Sequence, residues 1–397
     1  MIYLILFIYL FYLSIKYDAL GGKQYKMTHF YVVLILLILI SGFRYRLGTD
    51  TYAYMNEFNE YHNLFLLKIE DFSIWRYQPL WILLNSLAKT IGSFVLVQFF
   101  ISILHIWLLG LVLKKLSPSL LFSSLLLYYM FDYTTFNMEV MREAVSVSYF
   151  LMALLALDKG RIIYMFIYMA IAFLFHVYSL LVFLMFLFYF RILVRKPILS
   201  IISIMCIIVV CIIEKNFIIE LIARYVVGSD TIYTDSVITY AQSDKYGETD
   251  LSWKGILITF TLPILYLGML FITRKHFHRH INMNPLIFNA TIYLASTLIL
   301  LRYSLAIIDR IYNYFHVFTF LLIVLFFNYT YTKIKNKKQR ISIFISLILI
   351  PIFCAYKQHY RTDGLVDTEK NYSRYYPYSS IFNKTKDPQR EKIFYYK

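Results

Sequence analysis

The segment "SGFRYRLGTDTYAY" (41–54) sets Arg44, Arg46 and Asp50 among Tyr45, Tyr52 and Tyr54, directly behind the apolar run "FYVVLILLILI". Other stretches carry a similar mixture. "WRYQPL" holds Arg76, and "FDYTTFNMEVMRE" holds Asp132, Asn137, Glu139, Arg142 and Glu143. "RYSLAIIDRIYNYF" holds Arg302, Asp309, Arg310 and Tyr314, while His176 stands in "FHVYS". Arginine presents a planar fork of donors that keeps its charge and matches phosphate oxygens in pairs. One charge pair at about 4 Å is worth roughly 4 kcal/mol at an effective dielectric of about 20, before desolvation is counted. Tyrosine and tryptophan offer flat apolar faces with a polar edge, suited to sugar rings and to membrane interfaces alike. The mixture fits a lipid-linked phosphorylated sugar: tail in the bilayer, phosphate on arginine, sugar on aromatics and carboxylates. A blander reading competes with it. Each arginine could snorkel to lipid headgroups or pair with Glu139, Glu143 or Asp309, and interfacial anchoring accounts for most of the 38 tyrosines.

The elements that must position these residues are membrane helices. Of 397 residues, 60% are hydrophobic and 16% charged, and apolar runs of about 15 to 21 residues recur from end to end, the length that crosses a hydrocarbon core. Spans are expected near 2–15, 28–43, 94–113, 119–134, 139–157, 161–176, 177–193, 197–213, 254–273, 285–303, 312–332 and 341–356. This is an all-α fold, a polytopic bundle of about 12 transmembrane helices in one domain over 1–356, followed by a tail over 357–397. No repeat period is visible, and the spans are poor in Gly and Pro, which argues against the broken-helix sites of many transporters. "MIYLILFIYLFYLSIK" has no basic leading region and no small-residue cleavage site, so it is expected to be a retained first span.

The net charge of +16 sits in alternate loops and calls for no nucleic acid. Lys16, Lys23 and Lys26, Lys114 and Lys115, Lys159 and Arg161, Arg191, Arg195 and Lys196, Arg274, Lys275 and Arg279, and "TKIKNKKQR" form one set, with only Asp18 and Asp158 among them. That is a cytoplasmic signature. It puts both termini, the loops 44–93 and 214–253 and the arginine-bearing segments on the opposite face. To keep that parity, "PLWILLNSLAKTIG" (79–92) is expected to be a re-entrant or interfacial helix, with a short thirteenth span as the alternative. Cys206, Cys211 and Cys354 suggest neither disulfide nor metal.

"RYRLGTDTYAYMNEF", then "QPL", "MRE" and "FHVYS", resembles the EpsG family of Wzy-type polysaccharide polymerases. The likeness rests on Arg44-Tyr45, Gly48-Thr49-Asp50, Tyr54, Arg142 and Phe175-His176 with Ser179, in that order. It implies an enzyme outside the bacterial cytoplasmic (inner) membrane that joins repeat units carried on undecaprenyl diphosphate. It further implies membrane lipid, a chain-length regulator and a flippase as partners. Gln78-Pro79 stands where relatives often show Glu-Pro, and Glu143 where glutamine is common. Glycosyl transfer develops charge on the departing diphosphate, so pre-placed arginines lower the barrier. Arg142 and Arg44 are the first candidates, then Arg302 and Arg310, with Arg46, Tyr45, Tyr54, Arg76 and Tyr314 lining the diphosphate and sugar. Asp50, Glu139 and His176, in that order, are candidates to take the acceptor proton.

No cofactor is expected, and no metal. Asp230 and Asp235 are too loosely spaced for a divalent cation, and "HFHRH" (276–280) lies in a basic loop. "YYPYSSIF" (375–382) is similar to the C-terminal Pro-Tyr of relatives and is expected to fold back toward the membrane. Two other functions meet the same electrostatic needs: a glycan ligase, and a flippase or transporter of lipid-linked oligosaccharide. Charge gathered at one face favours an enzyme over a transporter.

Overall fold

The computed structural model describes residues 1–74, 78–193, 253–302, 308–362 and 369–395. The expected span 197–213 and all of the loop 214–253 except Trp253 lie outside them. Runs of Leu, Ile and Phe in an apolar solvent leave the backbone no partner but itself, and the described residues are helical accordingly. Apart from short irregular connections, the described residues add only isolated bridges, Arg44 with Ser380 among them.

The first half comprises α1 (Ile2–Leu13), α2 (Lys26–Gly42), α3 (Thr49–Glu60), α4 (Ile69–Ile74), α5 (Pro79–Ile91), α6 (Phe94–Leu116), α7 (Leu121–Phe131), α8 (Met141–Asp158), α9 (Ile162–Phe175) and α10 (Tyr178–Phe188). The second comprises α11 (Trp253–Thr273), α12 (Phe277–His280), α13 (Pro285–Leu301), α14 (Ile308–Tyr312), α15 (His316–Thr332), α16 (Lys337–Tyr360) and α17 (Pro388–Tyr395). Among the described residues, five stretches are long and apolar enough to cross a membrane: Ile2–Ala19, Phe94–Leu116, Gly255–Thr273, Arg310–Thr332 and Lys337–Tyr360. Lys26–Gly42, Leu121–Phe131, Ile162–Phe175, Tyr178–Arg191 and Pro285–Leu301 are apolar but shorter. Where the sequence suggests twelve spans, length and composition together support five among the described residues. One physical reason is visible at 119–134 and 139–157: α7 stops at Asp132, and a π-helical turn, Thr135–Glu139, intervenes before α8. α5 begins on Pro79, ends at Gly92 with φ +104°, and covers only about 20 Å at a helical rise of roughly 1.5 Å per residue.

The core lies around α7, α8, α13 and α15. Every residue of α7 from Leu121 to Met130 is buried. Peripheral helices turn apolar side chains outward instead. Ile163 of α9 is 75% exposed and Phe271 of α11 72%, a pattern that suits lipid rather than water.

One end of the bundle collects the basic loops. The two acids found there serve the backbone. Asp18 Oδ2 accepts the Ser123 N–H at 2.6 Å, capping α7 where Leu120 cannot, and Lys26 bridges Asp18 to the Pro118 carbonyl. Asp158 Oδ1 accepts the Asn284 N–H at 2.7 Å, ahead of α13. The opposite end gathers the C-termini of α2, α7 and α9, the N-termini of α8 and α15, and residues 369–395, which fold back across Phe43–Gly48.

Candidate functional site

Construction of this end starts at Gly48. Its φ of +85° is open to glycine, and a Cβ there would stand 2.3 Å from the Met138 carbonyl oxygen. That contact lets the chain turn from α2 into α3 against the π-helical turn. Gly48 has no side chain to cap α3, so Glu139 does so: its Oε1 accepts from Thr49 N at 3.3 Å and Thr49 Oγ1 at 3.2 Å. A carboxylate is favoured at a helix N-terminus by the unpaired N–H groups and the dipole. Thr51 Oγ1 adds a bond of 2.6 Å to the Met138 carbonyl.

The C-terminal residues then lock the turn. Tyr45 N donates to the Ser379 carbonyl, Ile381 N to that of Phe43, and Gly48 N to that of Arg374. Arg374 also reaches Glu139 at 3.2 Å. Arg46, held at φ +51°, makes a two-pronged ion pair with Glu391, 2.9 Å on one prong, and lies over the rings of Tyr52 and Phe394. Arg390, 1% exposed, donates to the carbonyls of Ser373, Pro377 and Arg46. The fold-back expected of "YYPYSSIF" is present.

Arg44 is fully buried. It donates to the Ser41 carbonyl, to Met141 Sδ at 2.8 Å and to Thr51 Oγ1 at 3.5 Å, and its Nε has no partner. Burial without a carboxylate holds its guanidinium down at about 10. Arg44, Arg46 and Glu139 are thus engaged by the protein's own groups.

Arg142 is placed differently. It sits half-buried in the first turn of α8, with its guanidinium 5.1 Å from the Tyr54 ring centre and 5.7 Å from that of Trp81. Among the described residues no carboxylate lies within ion-pair distance of it. Glu57 acts on it from farther off, and Glu57 Oε2 is buried without a partner. Asp50, Tyr54, Glu57 and Tyr61 recur at four, three and four residues along and just beyond α3, so they share one face of it.

On the other side of that first turn, Glu143 is buried and accepts from Asn313 Nδ2 at 2.7 Å. His176 Nδ1 lies 3.3 Å from the Tyr314 hydroxyl, which is 3.0 Å from Ser146 Oγ. The charges of Arg142 and Arg310 both reach His176, and that of Arg310 reaches Glu143. α2, α3, α8, the α9–α10 turn and α14 therefore meet in one place. Asp50 is half-buried beside Thr49, and Arg302 is exposed at the end of α13. Arg76 and the side chain of Asp309 lie outside the described residues. Among the described residues no group of His, Cys, Asp and Glu could hold a metal.

Sequence reasoning passed over Glu57, Trp81, Asn313 and His316. Helical spacing from Asp50 would have found Glu57. Nothing local marks Asn313 as a partner of Glu143, 170 residues away.

No curated protein and no solved structure matches the chain. The EpsG family model matches residues 27–380, from the start of α2 to the strap over Arg44. EpsG is a Wzy-type polysaccharide polymerase-like family. With a match over most of its length, the chain belongs to the EpsG family.

Proposed function

We propose that this protein polymerises undecaprenyl-diphosphate-linked oligosaccharide repeat units into a surface polysaccharide, by glycosyl transfer at the outer face of the cytoplasmic membrane. One observation carries the reading: Arg142 lies on an aromatic platform at the convergence of five segments, with no ion-pair partner among the described residues. Stacking on aromatic faces orients a guanidinium, at about 0.5–2 kcal/mol depending on desolvation, and a hydrogen bond to Tyr54 takes up only part of its donor fork. Such a cation suits a diphosphate, whose negative charge grows as the bond to the sugar breaks. Tyr54 and Trp81 then serve twice, as the platform and as the wall of the sugar groove. Arg310 and Tyr314 line the far side, and Arg302 lies at its rim.

Arg44, Arg46 and Glu139 act in this reading by shaping the turn that presents Tyr54, rather than by touching the lipid-linked donor. The orientation follows from charge. The basic loops gather at one end and Arg142 lies at the other, so the positive-inside preference faces the site away from the cytoplasm. On that orientation the chain has about twelve spans, α5 is an interfacial or re-entrant helix, and both termini are outside. A flippase and a chain-length regulator would work beside it.

The test is the surface glycan of a strain whose own copy is deleted and replaced by Arg142→Ala. Loss of one preorganised donor to a developing anion costs roughly 10²–10³ in rate. We expect single repeat units capped onto the normal acceptor, no long-chain ladder, and unchanged abundance of the protein. A ladder of normal length from that strain removes the reading. Complete absence of surface repeats in the deletion strain favours a flippase or ligase instead.

A further inference from the structure

Asp132 and His316 are 184 residues apart in sequence, yet both Asp132 carboxylate oxygens lie close to His316 Nδ1, at 2.9 and 3.1 Å. Asp132 caps the C-terminal end of α7 and is 4% exposed, while the His316 side chain, first in α15, is 20% exposed. Tyr312 packs edge-on against the imidazole at 4.5 Å. The charges of Asp132, His316 and Arg310 all reach Glu143. Asn313, one turn before His316, donates to Glu143 at 2.7 Å, so the pair lies close to the first turn of α8 that also carries Arg142.

A carboxylate only accepts, so Nδ1 carries the hydrogen and Nε2 of the neutral ring is the basic nitrogen. A buried carboxylate behind an imidazole fixes that tautomer and stabilises the imidazolium that forms when Nε2 takes a proton. This is what abstraction of a proton from a sugar hydroxyl requires.

Building on the polymerase reading, we propose that His316, oriented by Asp132, is the catalytic proton acceptor for the attacking sugar hydroxyl. The hydroxyl proton moves to His316 Nε2 as its oxygen bonds to the anomeric carbon of the donor sugar. The bond from that carbon to the phosphate oxygen breaks, its electron pair leaves with the lipid diphosphate held by Arg142, and the imidazolium returns its proton to water. Asp132 is a positioning residue.

Variants replace the native copy in the producing strain, and polymerised glycan is measured against protein abundance. A general base contributes about 10²–10⁴ in rate, so His316→Gly should lower long-chain glycan at least about 100-fold at normal abundance, and millimolar imidazole in the medium should restore a measurable part of it. Asp132→Asn, which keeps the shape and loses the charge, should shorten the ladder without lowering abundance. Arg142→Ala should lose the ladder and gain nothing from imidazole. A full ladder from His316→Gly, or a loss that imidazole leaves untouched, overturns the proposal and returns Asp132–His316 to a lock between α7 and α15. A full ladder from Arg142→Ala with a collapsed one from His316→Gly strikes instead at the phosphate anchor of the polymerase reading.

Discussion

At the scale of single residues, the site depends on where a side chain is missing as much as on where charge is present. Gly48 brings the backbone of the α2–α3 turn against Met138, and that approach lets Glu139 cap α3 and sets Tyr54 beneath Arg142. Gly48→Ala adds a carbon 2.3 Å from a carbonyl oxygen at a φ of +85°, so strain and displacement together should destabilise the fold by roughly 1–3 kcal/mol. The check is the temperature at which purified protein in detergent loses its monodisperse peak on size exclusion. We expect a drop of several degrees, and an unchanged value contradicts the packing described for the turn. Arg142, Tyr54, His176 and Tyr314 stand out in the sequence as arginine, aromatic rings and histidine at apolar helix ends, and the fold sets Arg142 over Tyr54 and His176 against Tyr314. Arg44 and Arg142 look alike in sequence, and only burial separates a guanidinium enclosed by Ser41, Thr51 and Met141 from one half-buried on Tyr54 and Trp81.

At the scale of elements, the C-terminal residues act as a strap across the α2–α3 turn. Arg46 and Glu391 are 345 residues apart, yet they form its central ion pair, with side chains only 10% and 15% exposed. A hydrogen-bonded pair so sheltered should show more coupling than an exposed one, where about 0.2–1 kcal/mol is usual. A double-mutant cycle of Arg46→Ala and Glu391→Ala, read as detergent thermal stability, should give a coupling of roughly 1–3 kcal/mol. Additive effects would mean that the strap holds through its backbone bonds alone. The sequence marked the strap only through Pro-Tyr, since an ion pair across the whole chain leaves no local trace. It also placed spans at 119–134 and 139–157 with no sign of the π-helical turn between them, because hydropathy does not register a local change from four-residue to five-residue hydrogen bonding such as Val140 N to the Thr135 carbonyl.

At the scale of the whole molecule, charge divides the bundle. Lys and Arg crowd one end, where Asp18 and Asp158 are consumed as caps, and the end bearing Arg142 mixes cations with carboxylates and aromatic rings. Periodicity, run length and the basic loops made the helical membrane class readable from sequence. The number of crossings was less so, since helices as short as α7 satisfy hydropathy without the length that spans a bilayer. The polymerase reading requires that Arg142 face away from the cytoplasm, because that is where completed repeat units would be joined. One measurement tests this directly. In a chain freed of its native cysteines, Lys384→Cys beside Tyr45 marks the Arg142 end and Lys335→Cys marks the basic end, and intact cells are treated with a membrane-impermeant maleimide. The account predicts labelling at 384 in intact cells and at 335 only after permeabilisation; the reverse pattern, or both positions on one side, would contradict it.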